Sequence, residues 1–137
     1  MAESSRRIRI TAGDTEAWAA LGDGPTADQV WKALPIQAEA NRWGEEIYFL
    51  IPVECPAEPG ARQEMAVGEI AYWPSGSAFC IFFGPTPASS GDEPRAASPV
   101  NPIGRLEGDA AAFHSVPDGA AVTVERASSA GPAGRRP

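Results

Sequence analysis

Gly68 to Pro87, GEIAYWPSGSAFCIFFGPTP, is the stretch whose reading decides the fold. Ile70 to Trp73 is rich in strand formers, and Trp73-Pro74-Ser75-Gly76 places proline second and glycine fourth, the residue pattern of a type I turn. The chain therefore reverses, and two strands pair. Ala78 to Phe83 is an unbroken run of six apolar residues. A strand with one wet face would alternate, so this one is expected to be covered on both faces. Gly84-Pro85-Thr86-Pro87 then ends it, because proline has no N–H to give to a ladder.

Working outward, Arg7 to Thr11 and Glu16 to Leu21 flank Gly13-Asp14 and predict a first hairpin. Thr26 with Gln29 three residues on reads as a capping box, and Val30, Trp31 and Leu34 supply an apolar stripe before Pro35 stops the helix. Ile36 to Arg42 and Glu45 to Ile51 predict a second hairpin around Trp43-Gly44. Cys55 to Gln63 and Ala88 to Pro99 read as loops. Val100 to Glu107 and Ala120 to Glu125 read as strands, with an Ala-rich helical turn at Asp109 to His114 between them. The fold class expected is mainly β, about eight short strands with two short helices, and a closed barrel would remove the exposed edges. That domain spans residues 7–127. Residues 1–6 and 128–137 have nothing to bury and are expected to be disordered tails.

The 137 residues have room for one domain with a core that needs no disulfide or metal staple. A net charge of −7 argues against non-specific nucleic-acid binding, which needs clustered Lys and Arg. No apolar run approaches a membrane span and no signal peptide is visible, so a cytoplasmic location without membrane association is expected. Cys55 and Cys80 are expected as reduced thiols. With His114 the one histidine, a closed zinc site would need both cysteines plus carboxylates, so no metal is expected. Gly22-Asp23-Gly24-Pro25-Thr26-Ala27 matches a dinucleotide fingerprint only superficially, since the chain cannot hold two mononucleotide halves; no cofactor is expected. A monomer or small homo-oligomer fits this acidic chain.

NRWGEEIYF (Asn41 to Phe49), the Gly68 to Pro87 stretch and SPVNPIGRLEG (Ser98 to Gly108) together resemble the small prokaryotic cyclophilin-like proteins of uncharacterised function. The resemblance covers roughly residues 7–127 and implies a closed eight-stranded cyclophilin-like barrel capped by two helices. Gly76 to Cys80 would stand where cyclophilins carry a GSQFF-type strand, and Gly104 to Gly108 where they carry a GKVxEGM-type strand. The glutamine of the first motif is missing, and neither an FHR-type strand nor a QGGD-type segment is present. Scaffold without catalytic motifs implies a binding module for a peptide or small-molecule ligand, and fold does not carry activity with it. The alternative is a weak peptidyl-prolyl isomerase in which Arg42 supplies the missing donor.

The candidate site residues are Arg42, Trp43, Glu45, Tyr72, Trp73 and Asn101. Adjacent carboxylates on a strand face opposite sides, so Glu45 and Glu46 cannot act as a pair. Glu45 would share the face of Ile47, Phe49 and Ile51, sit at the barrel rim with a raised pKa, and anchor a ligand or accept turn N–H groups. Tyr72 and Trp73 point to opposite sides, so one of them at most lines a given cleft as a wall for an apolar ligand; the alternative is that one ring fills the core and the other covers the turn. Asn101 beside Pro102 either orders its own loop or presents its amide to a ligand. Cys80 reads as a small buried hydrophobe and His114 as a surface residue at a helix end. The loop from Ala88 to Pro99, lacking large apolar side chains, is expected to be mobile and to act as a lid.

Overall fold

The computed structural model describes residues 6–127, so the tails expected at either end lie outside it except for Arg6. Arg6 is tied down: its guanidinium pairs with Asp28 at 2.9 Å. The described strands are β1 (Arg7–Ala12), β2 (Thr15–Leu21), β3 (Ile36–Glu39), β4 (Asn41–Arg42), β5 (Glu46–Leu50), β6 (Arg62–Glu64), β7 (Glu69–Trp73), β8 (Ala78–Phe82), β9 (Arg95–Leu106) and β10 (Ala121–Arg126). One helix, α1 (Pro25–Ala33), and one 3-10 turn, Ala110–Ser115, complete the set. None of the described helices is long and apolar enough to cross a membrane.

The ladder runs β3-β10-β1-β2-β9-β7-β8-β5-β4, with β6 on β9, and every pairing is antiparallel. This corrects the closed eight-stranded barrel: the sheet is open and has ten strands. Closure requires the two outermost strands to hydrogen-bond side by side. Here they are β3 and β4, both cut from the single strand expected at Ile36 to Arg42. At Ala40, whose N–H donates to the Ala120 carbonyl and whose carbonyl accepts from Gly119, the chain leaves β10 and turns to β5. The two pieces therefore lie end to end, and no ladder joins them.

The hairpin of Gly68 to Pro87 forms as β7 and β8, with Gly76 N–H donating to the Trp73 carbonyl across the turn. Every residue of β8 is buried. Phe79 and Ile81 join the main core with Ile8, Val30 and Phe113, and Phe49 stacks on Phe79 at 5.0 Å. Cys80 and Phe82 face the other way, into a second cluster with Met65, Ala71, Ala96 and Val100. The sheet is thus covered on both sides here, and each fully buried Phe or Ile contributes about 1.5–3 kcal/mol.

Two local expectations are corrected by long-range contacts. Thr26 is not the N-cap of α1; that place is Gly24, with Pro25 in the first turn. Glu58, from the loop after β5, instead accepts the Thr26 N–H at 3.0 Å and the Thr26 hydroxyl. A carboxylate there also complements the positive end of the helix dipole. The second correction concerns Ala88 to Pro99, whose last five residues are strand: β9 begins at Arg95 and pairs with β6. The remaining turn closes on itself. Ser90 and Gly91 N–H groups each donate to the Glu93 carboxylate at 2.9 Å, and these bonds hold that carboxyl down at about 2.

Candidate functional site

Strand alternation on β5 sends Ile47 and Phe49 into the main core and Glu46 and Tyr48 to the opposite face. On that face a cavity of about 170 Å³ opens among β5, β7, β8 and the start of β9. Its aromatic walls are Trp43, Tyr48 and Trp73, and Ala96, Ala97 and Val100 of β9 close the far side. Glu46 and Cys80 complete the lining. The Trp73 indole N–H donates to Ser98 Oγ at 2.7 Å, which fixes that ring. Tyr48 meets it edge-on, 6.0 Å between centroids at 74°, so the two faces form a corner.

Glu46 is only 4% exposed, and its Oε1 is the one buried side-chain polar atom without a hydrogen-bond partner among the described residues. Burial pushes its pKa up to about 7, with the Cys80 thiol pulling weakly the other way. Burial and the neighbouring carboxyl push the Cys80 thiol well above its ordinary range, so it is no nucleophile at neutral pH. Two larger cavities, of about 430 Å³ beside Trp18 and about 530 Å³ beside Met65, are each lined by an Arg–Glu pair already joined to itself. Arg7 holds Glu107 and Arg62 holds Glu69, in each case through two guanidinium nitrogens.

Of the residues selected from sequence, Trp43 and Trp73 line the cavity and the other four do not. Tyr72 is fully buried in the main core, its hydroxyl donating to the Val53 carbonyl at 2.7 Å and accepting from Cys55 N–H. Asn101 is a buried clamp: its amide nitrogen donates to Thr26 Oγ1 and the Pro56 carbonyl, both at 3.0 Å, and its oxygen accepts from Glu58 N–H. Arg42 and Glu45 belong to a separate cluster. Arg42 donates to the carbonyls of Gly44 and Val116 at 2.7 and 2.9 Å and lies over the Phe83 ring. Glu45 precedes β5 and pairs with His114 Nε2 at 2.9 Å.

Glu46, Tyr48 and Cys80 are the lining residues with polar side-chain groups that sequence reasoning missed as site residues, besides Ala96, Ala97 and Val100. The signal for Glu46 was present in the apolar run of β8. If both faces of β8 are covered, the neighbouring strand is covered opposite Phe82 too, and Glu46 is the residue in register there.

A family model described as cyclophilin-like matches residues 6–125. Among solved structures, the solution structure of a hypothetical protein from Archaeoglobus fulgidus is 40% identical, covers 91% of this chain and 98% of its own, and superposes with a TM-score of 0.76. Among curated proteins none matches.

Proposed function

The chain belongs to the cyclophilin-like family, and from that premise we propose that it is a binding module whose pocket takes one group the size of a single ring. The observation that carries this reading is Glu46: a lining carboxyl, 4% exposed, with one oxygen unpartnered. A buried polar atom left unpaired costs about 1–3 kcal/mol, which a ligand donor or acceptor recovers. Size supports the same reading. An apolar cavity of about 150 Å³ holds benzene, and this one, at about 170 Å³, suits a small ligand or one side chain of a peptide rather than a nucleotide.

Prolyl isomerisation through Arg42 has no comparable support, since that guanidinium is held on backbone carbonyls and does not line the pocket. The test is a screen of single-ring compounds against the indole N–H resonances of the four tryptophans. Saturable shifts of Trp43 and Trp73 alone, abolished in Trp73→Ala, are the expected result. Absence of any shift, or equal movement of Trp18 and Trp31, overturns the assignment.

A further inference from the structure

Three half-exposed aromatic side chains and one buried carboxyl meet in a pocket to which no Lys or Arg side chain contributes. Aromatic faces attract cations through the ring quadrupole, the more strongly where the site is desolvated. The two cations next in sequence to lining residues are engaged elsewhere: Arg95, beside Ala96, pairs with Glu93 and Glu64, and Arg42, beside Trp43, donates to the Gly44 and Val116 carbonyls. A carboxylate formed at Glu46 thus has no counter-ion among the lining residues. The net charge of −7 adds a field that draws cations toward the protein.

We propose that the group this pocket takes is an organic cation, a small ammonium seated between the faces of Trp43, Tyr48 and Trp73 and neutralised by the Glu46 carboxylate. The proposal rests on the binding reading above and names its ligand class. A neutral ligand accepting a hydrogen bond from protonated Glu46 is the competing chemistry, and the two respond to pH with opposite sign. A cation needs the ionised carboxyl; an acceptor needs the acid. The other titratable groups on the lining are the Cys80 thiol, from β8, and the Tyr48 hydroxyl, beside Glu46 on β5. Both are neutral when protonated, and Trp43, Trp73 and the β9 wall bring none.

The experiment compares choline with its uncharged carbon isostere, 3,3-dimethylbutan-1-ol, titrated against the full chain with the Trp43 and Trp73 resonances as readout. Choline is expected to bind at least about tenfold more tightly above pH 7, and its affinity to fall about tenfold for each pH unit below 7. In Glu46→Gln the preference for choline is expected to shrink to about twofold or less. Equal binding of the two, or choline affinity that rises on acidification, overturns the cation assignment while leaving a binding pocket. Failure of both compounds, and of every single-ring probe, overturns the pocket reading itself. Should Glu46→Gln not fold, the choline-to-isostere ratio and its pH slope in the unaltered protein still decide the matter.

Discussion

A Cβ built on Gly76 would lie 2.5 Å from two carbons of the Trp73 ring, so the turn glycine and the pocket tryptophan are in direct contact. The turn that reverses the β7–β8 hairpin therefore also sets where one wall of the pocket stands.

Gly76→Ala must move that ring, because its far edge is the clashing group and Ser98 holds its indole nitrogen. Overpacking of this kind costs about 1–3 kcal/mol. Chemical denaturation is expected to register that loss, and the Trp73 indole resonance to move in the absence of any ligand. An unmoved resonance with full stability contradicts the contact.

Ile81 of β8 is fully buried and packs in the main core. Ile81→Ala is expected to destabilise the domain by about 2–5 kcal/mol. A loss under about 0.5 kcal/mol in urea unfolding is the behaviour of an exposed site and rules out the two-sided burial of this strand.

Glu46 gives the stability a pH dependence of defined sign. Its carboxyl titrates at about 7 in the folded chain against an ordinary value of 4.5. Below the lower value both states are protonated and burial of the acid carries no ionic penalty. As pH rises from there, the unfolded chain ionises first, so the folded state loses up to about 3 kcal/mol by neutral pH and no more above it. Glu46→Gln removes the titration. The stability difference between the two proteins is expected to tilt in favour of the variant across that window, and a flat difference contradicts it.

Asn101 separates scaffold from site. Asn101→Ala strips partners from Thr26, Pro56 and Glu58 together. Leaving such groups unpaired is expected to cost about 2–4 kcal/mol in total. Because Asn101 does not line the pocket, choline affinity is expected to stay within about twofold wherever the variant remains folded. Lost affinity in a folded variant would place Asn101 in the site.

What the sequence determined by itself is local and periodic. The turn at Trp73 to Gly76, the six apolar residues after it, and the Gly13-Asp14 turn are short-range signals, and each strand they imply is present. Alternation put Tyr72 and Trp73 on opposite sides, since a period of two follows from backbone geometry, but it left open which of them enters the core. Only the tertiary structure decided the rest. Whether the sheet closes depends on hydrogen bonds that Ala40 makes to Gly119 and Ala120, about eighty residues away, and no local pattern encodes them. The same holds for Thr26, whose partner Glu58 comes from a distant loop and displaces the nearby Gln29. Alternation already set Glu46 opposite Ile47 and Phe49; what it could not supply is that this opposite face is covered there and holds the pocket. Glu45 reached His114 in the 3-10 turn, and Glu46 was left with one carboxyl oxygen unpartnered beside three aromatic rings. That last fact is a property of the assembled sheet, because burial and the unpartnered oxygen exist only once β7, β8 and β9 have closed around it.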